Sequence, residues 1–282
     1  MENLKAILYL VATPIGNLED ITFRAVKVLK EVDFIAAEDT RHTRKLLTHF
    51  DIHTPLIRYD ENNKDIAGVQ IIERLKNGES AACVSDAGLP AISDPGSDLV
   101  KLAIETNIKV VPIPGANAAL SALICSGLDT TSFTFIGFLP RTPKKCREVL
   151  ERLKSHEETL IFYEAPHHLK TTLKNLSEVF GNREVILARE LTKIHEEFIR
   201  SKLEDLINQF EDTEPRGEFV IVVDGADDEI VDVADESISD IMTVYQKFIA
   251  DGLDKKTAMR ETAKRLNISR REVYNYILTK ES

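Results

Sequence analysis

Short apolar runs alternate with amphipathic segments along the first 113 residues. The apolar runs have the length of β-strands and lie at residues 6–12, 33–38, 55–59, 81–84 and 108–113. Between them, apolar residues recur at helical spacing, as Ile21, Ala25 and Val28 do after the first run. Strands that alternate with helices form parallel sheets through right-handed crossovers, and continuous apolar runs are typical of such buried strands. The pattern therefore predicts an α/β fold with a mainly parallel sheet.

The pattern restarts after Gly127 and predicts a second α/β unit. Its strands are predicted at 133–138, 159–163, 185–188, 197–199 and 218–223, with a helix at 168–179. We therefore predict an N-terminal α/β domain at 1–115, a C-terminal α/β domain at 116–225 and a cleft between them. A cleft between domains is a typical place for a small-molecule site.

Charge changes sign near the C-terminus. Residues 224–239 hold seven acids and no base, whereas residues 240–282 hold nine bases and six acids. The acidic stretch predicts a linker at 226–238. Residues 239–282 predict a helix-turn-helix-like module whose last helix opens with Arg270 and Arg271. Two roles stay open for this module: contact with RNA or protein, and packing alone.

The loop Ser85–Gly96 joins a predicted strand to a predicted helix, and such loops lie where open α/β sheets bind ligands. It carries Asp86 and Asp94 and no base, and the G-x-G-x-x-G pattern of a dinucleotide site is absent after the first and fourth strands. Carboxylates disfavour a pyrophosphate and suit hydroxyls, amines or a positive charge, all of which S-adenosylmethionine offers. Asp94 before Pro95 is also typical of a helix N-cap, and for Asp86 a structural role is as open as ligand contact.

Composition narrows the class of protein. With 43% hydrophobic and 29% charged residues the chain is typical of soluble proteins, and its opening apolar run is too short for a membrane span. Cys83, Cys125 and Cys146 are scattered and the seven histidines lack metal-ligand spacing, so we expect a cytoplasmic protein without a metal. The net charge of −11 disfavours a nucleic-acid partner except through local basic patches.

Seven motifs, in this order, resemble those of one family. They are Leu10–Leu18, Ala37–Arg41, Ser85–Gly96, Pro112–Asn117, Phe138–Arg141, Glu164–His167 and Ala188–Lys193. Together they resemble the ribosomal RNA small subunit methyltransferase I group, part of the tetrapyrrole methylase-like class of S-adenosylmethionine enzymes. The resemblance covers roughly residues 5–223.

The resemblance implies a homodimeric two-domain enzyme that methylates the 2′ oxygen of a cytidine in the decoding region of 16S rRNA, within the small ribosomal subunit. It also implies that the cofactor, S-adenosylmethionine, lies between the domains and is held largely by backbone groups of strand-end loops. Carried over motif by motif, the cofactor-binding residues are Pro14, Asp86, Gly88, Leu89, Asn117, Ala118 and Glu164. The first loop, 14–18, lacks the glycine-rich pattern of tetrapyrrole-modifying relatives, which favours the RNA group and leaves its own role open between substrate and cofactor.

A ribose hydroxyl is a poor nucleophile until it loses its proton, so we expect a general base. Glu190, Lys193 and Glu164 follow predicted strands on the cleft side. Glu38 and Asp39 do likewise in the first domain. We predict Glu190 as the base and Lys193 as the second catalytic candidate, because a lysine base would need a depressed pKa. Basic residues flank Glu190, so an ion-paired structural role is the alternative.

Contacts with RNA phosphates require cations. We predict such contacts for Arg41 and Arg141, because each adjoins a motif at a strand end, and for Arg270 and Arg271 in the C-terminal module. The basic residues at 144–147 are predicted to lie solvated in a loop.

Two alternatives to methylation of ribosomal RNA stay open. One is methylation of a tetrapyrrole or of a modified protein residue by an enzyme of the same class. The other is a ligand-sensing, nucleic-acid-binding regulator without turnover, which the helix-turn-helix pattern favours.

Overall fold

The computed structural model describes residues 6–226, 241–266 and 268–281. The linker predicted at 226–238 lies outside the described residues except for Ala226, and so do positions 239 and 240 of the predicted module. Within the part of the chain that is described, no helix has the length and apolar character needed to cross a membrane.

The first half of the chain forms a parallel sheet with helices on both faces. Its elements are β1 (Ile7–Val11), α1 (Phe23–Glu31), β2 (Phe34–Ala37), α2 (Thr40–His49), β3 (Leu56–Arg58), α3 (Lys64–Lys76), β4 (Ala81–Val84), α4 (Gly96–Glu105) and β5 (Lys109–Ile113), with a 3₁₀ turn at Leu18–Asp20. The strand order is β3-β2-β4-β1-β5, and every neighbouring pair is parallel. The parallel α/β arrangement predicted from the apolar runs is confirmed here.

Two apolar clusters hold the helices against opposite faces of this sheet. On one face, Phe34 packs with Ile71 of α3 and Leu99 of α4. On the other face, Ile35 packs with Leu29 of α1. Successive strand residues point to opposite faces, so a strand covered on both sides must be apolar throughout.

The chain passes to a second sheet after β5. There α5 (Ala118–Ile124) packs against the second sheet, where Ala122 and Leu123 join a cluster with Ile161 and Val222. The remaining elements of this half are β6 (Phe133–Phe138), α6 (Pro143–Leu153), β7 (Thr159–Glu164), α7 (Pro166–Phe180), β8 (Glu184–Arg189), β9 (Glu197–Lys202), α8 (Leu203–Gln209) and β10 (Phe219–Val223). A larger apolar cluster packs α6, α7 and α8 on the opposite face.

The second sheet is mixed, unlike the parallel sheet of the first half. Its order is β6-β7-β10-β8-β9, and among the described strands of this second sheet only β6 and β7 pair in parallel. Residues 190–196 join β8 directly to β9. A connection this short permits only antiparallel pairing, because a parallel pair needs a crossover of a dozen or more residues.

The predicted basic loop after Arg141 is a helix, so that expectation is wrong. Thr142 precedes α6, which begins at Pro143. Proline is well tolerated at the first helical position because that N–H has no partner in the helix anyway. The buried face of the helix carries Cys146, Leu150 and Leu153. The exposed face carries Lys144, Lys145 and Arg147.

Three helices at the C-terminus form a small unit: α9 (Ile241–Ala250), α10 (Lys255–Leu266) and α11 (Arg270–Glu281). Its apolar core contains Ile241, Tyr245, Ala258, Ala263, Ile268, Val273 and Ile277. Arg271 Nη1 lies 2.6 Å from Glu184 Oε1 at the start of β8 and links this unit to the second sheet. The helical character predicted for the C-terminal segment is confirmed.

Candidate active site

A cavity of about 580 Å³ lies between the two sheets. Loops that follow β1, β2 and β4 form one wall, and the other wall comes from the ends of β6, β7 and β8 and the start of β10. The lining residues are Ile15, Glu38, Ser85, Asp86, Ala87, Gly88, Leu89, Ile92, Ser93, Asp94, Asn117, Ala118, Phe138, Tyr163, Glu164, Ala165, Pro166, Ala188, Leu191, Glu218, Phe219 and Val220. Both its size and its place at the carboxyl ends of strands are typical of small-molecule sites in α/β proteins.

Two loops of the first sheet are joined in the cavity wall. Thr13 N donates to Gly88 O at 2.9 Å, and Gly88 N donates to Thr13 O at 3.1 Å. Thr13 Oγ1 donates a further hydrogen bond to Ser85 O at 3.3 Å. Gly88 has a φ of +77°, which residues with a Cβ rarely adopt. The loops after β1 and β4 therefore form one unit, in which Ile15 lines the cavity and its neighbour Pro14 does not.

The loop 85–96 has a strained backbone that Asp94 holds in place. Ala91 and Ser93 have φ values of +70° and +64°. Asp94 Oδ1 accepts hydrogen bonds from Ala91 N at 2.9 Å and from Gly96 N at 2.7 Å. It thereby satisfies two backbone N–H groups of the turn that leads into α4. Asp94 Oδ2 is buried and has no hydrogen-bond partner among the described residues. Backbone strain of this kind collects at ligand sites.

Three carboxylates make the first-sheet wall electronegative: Glu38, Asp86 and Asp94. Asp86 Oδ1 accepts a hydrogen bond from Asp39 N at 3.0 Å. Burial raises the pKa of Glu38, and the charges of Asp86 and Asp94 raise it further. Burial also raises the pKa of Asp94, although backbone N–H groups oppose the rise. Such a wall disfavours a phosphate and fits a ligand that brings hydroxyls, an amine or a sulfonium.

Glu164 is a buried carboxylate in the second-sheet wall. Its Oε1 accepts a hydrogen bond from Ala165 N at 2.8 Å, and its Oε2 accepts one from Thr172 Oγ1 of α7. Arg141 Nη1 lies 4.0 Å from Glu164 Oε1. The carboxylate is thus fixed from three directions. Sequence reasoning missed Thr172, since a threonine within an amphipathic helix carries no sign of a site.

The start of α5 completes the wall between the two sheets. Asn117 Oδ1 accepts a hydrogen bond from Leu120 N at 2.8 Å and caps the helix. Tyr163 OH accepts a hydrogen bond from Ala119 N at 3.3 Å, and burial raises the pKa of this tyrosine. The residues predicted to bind the cofactor that line this cavity are Asp86, Gly88, Leu89, Asn117, Ala118 and Glu164.

Glu190 and Lys193 form an ion pair next to the cavity rather than in its lining. Lys193 Nζ lies 2.9 Å from Glu190 Oε1 and 3.1 Å from Glu218 Oε2, and Glu218 does line the cavity. The hydrogen bond from Lys193 lowers the pKa of Glu190, although burial opposes it. Burial lowers the pKa of Lys193, but hydrogen bonds to Glu190 and Glu218 outweigh it and raise the pKa overall. This geometry matches the ion-paired interpretation of Glu190.

Two predicted RNA contacts, Arg41 and Arg141, follow the ends of strands in the two different sheets, β2 and β6. Arg41 is exposed at the start of α2, with its Nη2 3.0 Å from Asp39 Oδ2. The side chain of Arg141 is 59% exposed. Each arginine follows a lining residue by three positions, Glu38 in one case and Phe138 in the other.

The other two predicted RNA contacts, Arg270 and Arg271, lie toward the second sheet. Arg271 pairs with Glu184. A hydrogen bond from Thr131 lowers the pKa of Asp129, and the charge of Arg270 adds to this lowering. The start of α11 thus contacts the body of the protein, and neither arginine lines the cavity.

Sequence reasoning assigned no role to several lining residues, among them Ile92, Phe138, Tyr163 and Glu218. Apolar and aromatic residues in a strand are normally interpreted as core. The sequence pattern cannot show which strand ends face a cavity instead. The one available signal for Phe138 is its place in the motif that ends in Arg141.

Several known proteins with similar sequences come from one family. The family model for Tetrapyrrole (Corrin/Porphyrin) Methylases matches residues 7–207. A protein of Halalkalibacterium halodurans named "Ribosomal RNA small subunit methyltransferase I" is 52% identical over 273 residues, which cover 96% of this chain and 94% of that protein. The protein of the same name from Bacillus subtilis is 50% identical, over 95% of this chain and 93% of that protein. The one from Synechocystis is 46% identical, over 98% and 99%.

Solved structures share the fold at lower identity. A diphthine synthase has a TM-score of 0.60 and 16% identity, over 78% of this chain and 90% of that chain. A cobalt precorrin-4 methyltransferase of cobalamin biosynthesis has a TM-score of 0.58 and 16% identity, over 77% and 94%. These two likenesses concern the fold alone.

Proposed function

The chain belongs to the tetrapyrrole (corrin/porphyrin) methylase family, in its ribosomal RNA small subunit methyltransferase I group, and on this premise we propose that it methylates the 2′ oxygen of a cytidine ribose in the decoding region of 16S rRNA. Its cofactor is S-adenosylmethionine, and its substrate class is small-subunit ribosomal RNA. The observation that carries methylation of small-subunit ribosomal RNA is about 50% identity over nearly the whole length of relatives with that name, and the cytidine 2′ oxygen is the proposed position.

The cavity fits the cofactor by its chemistry. When bound, S-adenosylmethionine supplies a methyl group that its sulfonium already activates. Asp86 would accept hydrogen bonds from its hydroxyl or amine groups, and the backbone of Gly88, Leu89 and Ala118 would contact it at the strand ends. Pro14, outside the lining, would support this wall from behind Ile15. Asn117 and Glu164 complete the set of proposed cofactor residues.

The chain itself must remove a proton from the ribose hydroxyl. Glu190 and Lys193 remain the proposed catalytic pair, with the Lys193 ammonium held at the cavity edge by Glu190 and Glu218. The lowered pKa makes Glu190 a weak base. Glu38 has a raised pKa and lines the cavity, which makes it the competing proton acceptor. Loss of kcat in Glu38→Gln but not in Glu190→Gln would decide for Glu38.

The RNA partner would be held by cations around the mouth of the cavity. Arg41 and Arg141 are exposed, and each follows a cavity-lining residue of a different sheet by three positions. Arg270 and Arg271 are proposed RNA contacts from the sequence, but the pairing of Arg271 with Glu184 supports a docking role for the start of α11 instead. We place the enzyme in the cytoplasm, where ribosomal subunits assemble, and expect it to act as a homodimer.

Methyl transfer to small ribosomal subunits tests the proposal. Subunits from cells that lack this activity are incubated with the protein and tritiated S-adenosylmethionine, and the RNA is then digested with alkali. A 2′-O-methyl group blocks alkaline cleavage of the phosphodiester on the 3′ side of its own nucleotide. Label in a dinucleotide that begins with cytidine and resists alkali therefore supports the proposal. Label in a tetrapyrrole or protein acceptor alone would favour the same-class alternative. Cofactor binding without any transfer would favour a regulator.

A further inference from the structure

A β-bulge determines which way the end of β6 faces. The pairing of β6 with β7 shifts register between Phe135 and Gly137, which leaves Ile136 without a partner. Gly137 has a φ of +73°, the left-handed backbone that such bulges use. In a regular strand, residues three apart lie on opposite faces. The extra residue therefore puts Phe135 and Phe138 on the same face.

That shared face is the one that looks into the cavity. Phe138 is opposite Tyr163 on β7, and both residues line the cavity. The ring of Tyr163 has an edge contact with Phe138 at 5.6 Å between centroids and another with Phe135 at 5.0 Å. The hydrogen bond from Ala119 N to Tyr163 OH fixes the central ring of the three. Phe138 is thus held from one side by a rigid aromatic group.

Much of Phe138 is left uncovered by the described part of the protein. The residue is 53% exposed, although burial of a phenylalanine side chain is favourable. Ile92, on the loop of the first sheet, is also exposed and also lines the cavity. That loop lies against β6, since a Cβ built on Gly137 would be 3.0 Å from Ser93 Oγ. Phe138 and Ile92 thus expose apolar groups to the cavity from the two sheets, and we call the space between them the slot.

A cation stands close to this slot. Arg141 follows Phe138 by three residues, and its side chain is 59% exposed beside Glu164. A flat apolar surface next to an exposed guanidinium matches a nucleotide, which has a flat base and a phosphate. Proteins that read unpaired RNA stack its bases on aromatic side chains in this way.

We propose that Phe138 is the platform on which the base of the acceptor nucleotide stacks, with Ile92 on the opposite side of the slot and Arg141 at a neighbouring phosphate. The inference rests on the proposed function, because it requires an RNA acceptor. It adds a substrate-binding residue to the site, and it requires that the acceptor nucleotide be unstacked from its neighbours in the RNA. The contact involves the ring face and therefore tolerates tyrosine or tryptophan in place of Phe138.

Substitutions at Phe138, measured on undermethylated small subunits, test the inference. Phe138→Ala and Phe138→Leu should raise the KM for subunits roughly 5- to 100-fold, the range for loss of one stacked base, with kcat changed much less. Phe138→Tyr should restore the KM. The affinity for S-adenosylmethionine, measured by calorimetry, should stay within about twofold of wild type, because the platform binds the acceptor. Phe133→Ala is the matched control, since Phe133 lies on the same strand, is 41% exposed and does not line the cavity.

Three results would overturn the inference, and each has a distinct meaning. A KM for Phe138→Leu equal to that of wild type would show that apolar bulk suffices and that no base stacks there. Weaker binding of S-adenosylmethionine by Phe138→Ala with an unchanged KM for subunits would make Phe138 a cofactor residue. In both cases the proposed function would stand. Absence of transfer to RNA by the wild-type enzyme would refute the proposed function and this inference together.

Discussion

Replacement of Asp86 separates the effect of its charge from its role as a hydrogen-bond acceptor at the cavity wall. Asp86 is exposed, lines the cavity and accepts a hydrogen bond from Asp39 N at 3.0 Å through Oδ1. Asp86→Asn keeps an oxygen for Asp39 N and removes the charge. Asp86→Ala removes both the charge and the acceptor. Because Asp39 N is accessible to water, we expect the alanine variant to stay folded, and its thermal denaturation checks this.

The expected loss of affinity follows from the type of contact. A hydrogen bond to a charged group is worth about 1.5–3 kcal/mol, so Asp86→Ala should weaken binding of S-adenosylmethionine roughly 10- to 100-fold. S-adenosylhomocysteine has the same hydroxyls and amine without the sulfonium charge. At an exposed carboxylate, the attraction of a charge several ångströms away is only about 1 kcal/mol in water. We therefore expect Asp86→Ala to weaken binding of both compounds by similar factors.

Calorimetric titration of both compounds measures the effect. Asp98→Asn is the control, because Asp98 pairs with Lys64 at 2.8 Å and does not line the cavity. Its affinities should match those of wild type. An unchanged Kd for S-adenosylmethionine in Asp86→Ala would refute the role of Asp86 at the ligand. A loss confined to S-adenosylmethionine would show that the carboxylate acts on the sulfonium and not through hydrogen bonds.

Three further predictions concern the module, the ion pair and the bulge. Deletion of residues 239–282 should leave the Kd for S-adenosylmethionine unchanged and reduce methylation of small subunits roughly tenfold or more, because contacts outside the cavity are lost. Glu190→Gln should lower the Tm at pH 7 by about 2–4 °C, as expected for loss of an ion pair with Lys193 worth about 1 kcal/mol. The pKa of Glu190 is lowered in the fold, so this difference should vanish as the pH falls below the lowered pKa. Gly137→Ala should reduce the free energy of unfolding by about 1–2 kcal/mol in urea titrations, because its φ is +73°.

Each of these three predictions has a control or a contrary result. Full activity of the truncated enzyme on subunits would make the module dispensable. A Tm difference between Glu190→Gln and wild type that persists at about pH 2 would mean that the loss is not electrostatic. Gly127→Ala is the comparison for Gly137→Ala, since Gly127 also has a positive φ, of +88°, but has no atom within 4 Å of the added Cβ. Equal losses in the two variants would show that Ser93 imposes no additional cost at Gly137.

The strands were predictable where they contain a continuous apolar run. The runs at 81–84 and 133–138 coincide with β4 and β6 as the structure has them. The pairing in the second sheet was not predictable in the same way. Whether β10 lies between β7 and β8 depends on contacts between residues far apart in sequence, such as Val220 with Tyr163 and with Ala188. An apolar run indicates that a strand is buried but does not identify the strands that pair with it.

The lining of the cavity was predictable where it comes from loops that follow strands. Asp86 and Asn117 lie in the loops that follow apolar runs, and both line the cavity. The orientation of Phe138 was not predicted, because it depends on an unpaired residue at position 136, and Gly137 suggests a bulge without showing which residue is left unpaired. For Glu190 the pairing with a nearby base was foreseen, but its hydrogen bond with the backbone of Glu218 was not, since that bond joins residues 28 positions apart.

The reciprocal bonds between Thr13 and Gly88 restrict how this scaffold can be redesigned. An engineer who grafts the segment 85–96 onto another enzyme would also have to transplant its companion after β1, because each segment supplies hydrogen-bond partners that the other lacks. Because the two segments depend on each other, homologues with an insertion in only one of them should be rare. Directed evolution of a new cofactor preference would therefore do best to randomise both segments in one library.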